Sequence, residues 1–446
     1  MTTRNFLLLL ITGVSVVALV VLIARFKLPS FIALVLASLG VGLCSGAGPL
    51  DTTRSFAEGV GAVLGSIAMV IALGALLGGI LAATGGAEQI AFTLIRAFHE
   101  RWTPWAVAFA GFIVGLPVFF GVGLVLLAPV VFTIARQARM PVMRLGLPLV
   151  AGLSVAHGLA PPHPGPIAAV QFLKADVGKT LFYSVLIGLP TVLLCGPLLG
   201  GFLARQQKQQ PEETAQSEKA PTNKRSLSAV PALVIILLPV LLMLIATIAG
   251  LTLTKSDTWR SYIDFAGNPT VAMLIAVLVA FGLAVAVCEF DWPQLAKIAE
   301  ESLAPVATIL LVVGAGGGFS RVLVNSGAGD ALADFAKQCK ISPLLLGWVA
   351  AALVRLATGS ATVAISTASG LLAPLAAVNP GLNRELLVVS MGAGSLILSH
   401  VNDGGFWFVK EYLNLSITQT LQTWTIIETA ISLAAVVFAI VLNQFL

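Results

Sequence analysis

Thirteen residues, Arg355 to Thr367, place an arginine, five hydroxyls and a glycine inside a strongly apolar stretch. A helix interrupted at Thr358-Gly359-Ser360 would open a new N-terminus whose free N–H groups attract anions. Ser360 and Thr362 add hydroxyls there, and Arg355 adds a fixed positive charge suited to a carboxylate. Small residues also serve helix packing, but packing needs no arginine. A second cluster is Ser399-His400-Val401-Asn402-Asp403-Gly404-Gly405-Phe406-Trp407. Asp403 is a carboxylate in apolar surroundings, which fits an ion or proton pathway or a structural pair with Arg321 or Arg355. A third runs from His157 to Pro166, where Pro161, Pro162, Pro164 and Pro166 unwind the chain and free carbonyls. His157, His163 and His400, three of the four histidines, fall in these interrupted stretches. Imidazoles titrate near neutral pH and relay protons, or they simply cap freed backbone groups. Six residues apart, His157 and His163 are expected on different helix faces, so no metal pair is expected. A fourth stretch, Leu116 to Leu124, holds Phe120 and Gly121 and offers only a broken backbone for binding.

These residues need elements that keep them out of lipid, because unpaired polar groups in hydrocarbon cost several kcal/mol. Of 446 residues, 58% are hydrophobic and 10% charged, against about 25% charged in soluble domains. Apolar runs of about 20 residues recur along the chain, which predicts an all-α polytopic membrane protein within a lipid bilayer. The net charge of +5 comes from basic residues scattered over short loops, which excludes a nucleic-acid surface and reads as orientation signals. The four cysteines form no CxxC pair, and neither a disulfide nor a metal or other cofactor is expected. No nucleophile–base pair stands out, so an enzyme is not expected.

Spans are expected at 6–24, 31–46, 61–83, 180–203, 230–251, 271–288, 305–324 and 424–442, with 51–58 a short polar stretch leading into 61–83 and 291–301 a surface-lying polar stretch. Two segments, 104–135 and 343–374, are about 32 residues long with a central break, longer than one crossing needs. Arg96, His99 and Arg101 precede the first, and Arg136, Arg139 and Arg144 follow it. Basic flanks on both sides predict a re-entrant hairpin. Two more segments, 145–172 and 386–409, are broken once. The hydrophilic stretch 204–228 reads as a flexible cytoplasmic linker between halves 1–203 and 229–446.

The halves match at an offset of about 240 residues, far beyond a solenoid period. Gly74-Ala-Leu-Leu-Gly-Gly parallels Gly314-Ala-Gly-Gly-Gly-Phe, Pro129 parallels Pro374, and His157 parallels His400. Corresponding interruptions in two halves point to a secondary transporter's binding site, and the loop charges make the halves inverted repeats.

Taken together, the stretches His157–Pro166, Gly359-Ser-Ala-Thr-Val-Ala364 and Ser399–Trp407 resemble the gluconate permease family of bacterial proton symporters, over nearly the whole chain. The resemblance implies an inner-membrane importer of gluconate or a related sugar acid. It also implies the ion-transporter superfamily fold: two inverted repeats, each with a re-entrant hairpin and a broken helix, usually in homodimers with a static scaffold and a sliding transport domain. Relatives take D-serine, glycerate, idonate or fructuronate. The Pro164-Gly-Pro166 and Ser399-His-Val-Asn-Asp403 stretches look more like the sugar-acid members. On this reading Arg355, Gly359, Ser360, Thr362, Asn402, His163, Phe120 and Gly121 hold substrate, while Asp403, His157 and His400 are candidates for proton coupling. At Gly121 many relatives carry an acidic residue, which leaves the coupling ion open. A sodium-coupled carboxylate transporter is the alternative on the same fold.

Overall fold

In a computed structural model of the chain, described residues are 3–97, 100–206, 226–253, 257–328, 331, 342–401 and 403–446. The expected linker falls mostly on 207–225, outside this set, as do His99, Cys339 and Asn402. Among the described residues the architecture is helical, and ten helices are long and apolar enough to cross a membrane.

The first half holds α1 (Thr3–Ala24), α2 (Ser30–Cys44), α3 (Pro49–Ala83), α4 (Gly86–Ala97), α5 (Thr103–Gly115), α6 (Phe120–Gln137), α7 (Met143–Leu159), α8 (Pro164–Leu173) and α9 (Val177–Gln206). The second holds α10 (Ala229–Thr252), α11 (Thr258–Gly267), α12 (Pro269–Ala286), α13 (Trp292–Leu303), α14 (Val306–Ser326), α15 (Pro343–Thr358), α16 (Ala361–Val378), α17 (Arg384–Gly394), α18 (Gly404–Tyr412) and α19 (Ile417–Leu442).

The polar stretch 51–58 leads into the span 61–83 as the first turns of the 35-residue helix α3, with Pro49 at its start. Pro lacks the N–H that a helix start leaves unused and presets its dihedral, so it opens α3 without loss. The polar stretch 291–301, mostly exposed, forms the helix α13, started by an Asp291/Gln294 capping box, and Ala304-Pro305 separates it from α14.

Glycine sets the closest helix crossings. A Cβ on Gly59 of α3 would lie 2.3 Å from the Gly317 carbonyl oxygen of α14, so these helices pack backbone against backbone. The glycine run 314–318 therefore serves contact between the halves. A Cβ on Gly392 of α17 would lie 2.4 Å from the Gly158 carbonyl oxygen of α7. Each glycine stands just before its helix unwinds, so the two unwound segments are brought to the same place.

Both long broken segments are pairs of helices. The 13-residue α5 rises about 20 Å, less than the ~30 Å hydrocarbon core, before the chain turns at 116–119 into α6. The 16-residue α15 ends at Gly359, whose φ of 69° lies in the left-handed region that a side chain disfavours.

Candidate functional site

Four interruptions each start a new helix, at Phe120, Pro164, Ala361 and Gly404. Contacts join all four. His163, the residue before α8, places Nε2 2.5 Å from the Gly115 carbonyl oxygen at the end of α5. A Cβ on Gly165 would lie 2.4 Å from Ile365 and 3.6 Å from Thr362, so the start of α8 packs on the start of α16. Phe120 packs on Trp424 of α19 with ring centroids 5.3 Å apart, and Trp424 Nε1 donates to Ser399 Oγ at 2.8 Å. Gly121 faces the Phe408 ring of α18.

Arg355 and Asp403 form the polar centre. Arg355 Nη1 donates to the Gly359 carbonyl at 2.5 Å and Nη2 to Asp403 Oδ2 at 2.5 Å, with both side chains buried. Asp403 caps α18 by accepting from Gly405 N–H at 2.8 Å, and it accepts a further hydrogen bond from Ser399 Oγ. Such satisfaction is what a buried carboxylate requires, since an unpaired buried charge is strongly destabilising. Ser360 is the N-cap of α16, with Val363 N–H 3.3 Å from its Oγ. Thr362 is half-buried beside it.

Arg321 is not part of this centre: half-exposed, it lies 3.7 Å from Glu58. Of the two partners considered for Asp403, Arg355 is the one present. The histidine geometry corrects the expectation from the spacing. His157 and His163 do not diverge; their rings lie 4.9 Å apart, edge to face. The helix stops at Leu159, so helical periodicity no longer fixes where His163 points. His157 also lies within electrostatic reach of Arg355. No cluster of three metal-ligating side chains occurs among the described residues. His400 stands apart: its Nδ1 lies 2.8 Å from the Leu398 carbonyl oxygen and the residue is half-exposed. Asn402 lies outside the described residues.

The sequence reading passed over Glu428. This carboxylate is 1% exposed in the apolar helix α19, hydrogen-bonded with Ser154 of α7 and within electrostatic reach of both Arg355 and Asp403. The signal was available, because a lone acidic residue inside an apolar helix is itself a functional marker. Trp424 and Ser399, which tie α19 to Asp403, were also missed as site residues.

Interrupted apolar helices that meet around a buried ion pair define a multi-pass membrane transport protein. The profile of the GntP family permeases matches residues 7–445, and the chain belongs to this family. It is 45% identical to a gluconate permease of Pseudomonas aeruginosa over 444 residues, 98% of each chain. It is 43% identical to a high-affinity gluconate transporter of Escherichia coli, over 98% of this chain and 99% of that one. Identity to the L-idonate transporter of the Gnt-II system of E. coli is 40%, with the same coverage. These relatives are permeases and transporters, not enzymes. Among solved structures, the YdaH transporter of Alcanivorax borkumensis shares the fold at a TM-score of 0.66 and 18% identity, over 93% of this chain and 98% of that one.

Proposed function

We propose that the chain imports gluconate or a closely related sugar acid across the bacterial inner membrane by proton symport. The observation that carries this reading is Arg355, a buried guanidinium beside the N-terminus of α16 and paired with Asp403. A sugar acid brings a carboxylate for the guanidinium and the helix N-terminus, and hydroxyls for Ser360, Thr362, Asn402 and freed backbone groups. His163 holds the tip at Gly115, and Phe120 and Gly121 shape the facing wall. The candidates for proton coupling are the carboxyl and imidazole groups around Arg355, Asp403 and His157 among them. His400 belongs to the outer part of the same unwound segment. The gluconate and L-idonate transporters among its relatives support the substrate class.

On this reading 1–203 and 229–446 are inverted repeats joined by the cytoplasmic linker 204–228, and α5–α6 and α15–α16 are re-entrant hairpins. An elevator movement carries the hairpins and broken helices as one body against a scaffold, which holds two copies together as a homodimer in the lipid bilayer.

The test is uptake of labelled gluconate into proteoliposomes of the purified protein with an imposed inward proton gradient. Accumulation that a protonophore abolishes is expected. Accumulation that follows a sodium gradient at fixed pH would assign the coupling to sodium instead. If no gluconate enters, the substrate assignment fails.

A further inference from the structure

The buried charges around the site do not balance. Arg355 is the one buried guanidinium or ammonium group among the described residues, yet two buried carboxyls, Asp403 and Glu428, stand within its field. Asp403 is fully partnered: it accepts from Arg355 Nη2, Ser399 Oγ and Gly405 N–H. Glu428 has Ser154 as its hydrogen-bond partner and, among the described residues, no cation in contact. A second carboxylate, uncompensated in this apolar interior, would be costly, and that cost disappears when it holds a proton.

We infer that Glu428 is the proton-binding residue of the transport cycle, while Asp403 is a positioning residue that holds Arg355. The inference rests on the proton-symport reading above. The substrate brings one negative charge toward a site whose single buried guanidinium is already paired. A proton on Glu428 removes one negative charge from the same field, so proton and sugar-acid anion enter together and the net charge of the site stays constant. Release reverses both: the anion leaves and Glu428 gives up its proton to the water that replaces it.

The neighbours of Glu428 are consistent with this exchange. Among the described residues, the charged or titratable groups within its electrostatic reach are Arg355 on α15, Asp403 before α18 and Cys195 on α9. α7 brings Ser154, with His157 three residues on. α17 has no titratable side chain between Leu386 and Gly394. Glu428 lies four residues after Trp424, which binds Ser399, the hydroxyl that also serves Asp403. One short stretch of α19 thus reaches the ion pair through Ser399 and carries the proton site.

The experiment compares wild type with Glu428→Gln in gluconate-loaded and empty proteoliposomes, measuring gradient-driven accumulation, counterflow and their pH profiles. Glu428→Gln is expected to lose accumulation while retaining part of its counterflow, with the pH dependence of counterflow flattened. If wild type concentrates gluconate on a proton gradient and Glu428→Gln does so equally, the inference alone is overturned. If wild type ignores the gradient, the symport reading falls and this inference with it. Should Glu428→Gln lose counterflow as well, the pH profile of Ser154→Ala decides. A displaced profile supports the assignment, and an unchanged one overturns it.

Discussion

Arg355 and Asp403 are 48 positions apart in sequence, and their side chains meet at 2.5 Å in the interior. The pair ties the tip between α15 and α16 to the unwound start of α18. It therefore links the feature that offers helix N–H groups to the feature that offers a carboxylate.

Removing one partner should cost more than removing both. Arg355→Ala leaves Asp403 as an uncompensated buried charge and is expected to destabilise the protein by about 3–5 kcal/mol. The double variant Arg355→Ala/Asp403→Ala should recover much of that stability without recovering uptake. Thermal unfolding in detergent, run beside gluconate uptake, separates the two effects. A double variant no more stable than Arg355→Ala would mean that the pair does not govern stability.

Arg355→Lys tests geometry apart from charge. Lysine keeps the charge but not the planar fork that reaches Gly359 and Asp403 together. Uptake should fall by about tenfold or more, equivalent to roughly 1.4 kcal/mol. Wild-type kinetics in this variant would show that a point charge suffices.

Gly359→Ala probes the left-handed turn at the tip. At φ 69° a Cβ is expected to cost about 1–2 kcal/mol, and the shift would move the carbonyl that Arg355 holds. A lower melting temperature together with weaker gluconate binding is the expected result. Unchanged binding would separate the turn from the site.

His163→Ala removes the partner of the Gly115 carbonyl in a buried environment. Leaving such a group unsatisfied costs about 1–3 kcal/mol, so the α5–α6 tip should loosen. Hydrogen exchange at 115–120 should rise, with lower affinity for gluconate. Protection equal to wild type would show that His163 does not hold the tip.

Gly121→Glu restores a carboxyl of the kind the family resemblance led us to expect. A Cβ here would lie 3.2 Å from the Phe408 ring, so that side chain must turn aside. The pH dependence of uptake is expected to change, as measured across a pH series at constant gradient. An unchanged profile would make the glycine incidental to coupling.

Charge in an apolar sequence is costly wherever it is buried, so Arg355 and Asp403 could be chosen from the sequence alone, as could the breaks at 116–119, 160–163, 359–360 and near 403. The same rule would have selected Glu428, had the closing helix not looked like an unbroken span. Polarity also marked 291–301 as a surface stretch, but not the helix α13 or the capping box that starts it. Only the tertiary structure decided which charges meet: that Arg355 reaches Asp403 and not Glu58, that Glu428 finds Ser154, and that His157 and His163 lie ring to ring. Helical periodicity fixes direction only while a helix lasts. Beyond Leu159, Thr358 and Gly394 direction depends on packing, and partners 48 or 274 positions apart are set by the crossing of helices.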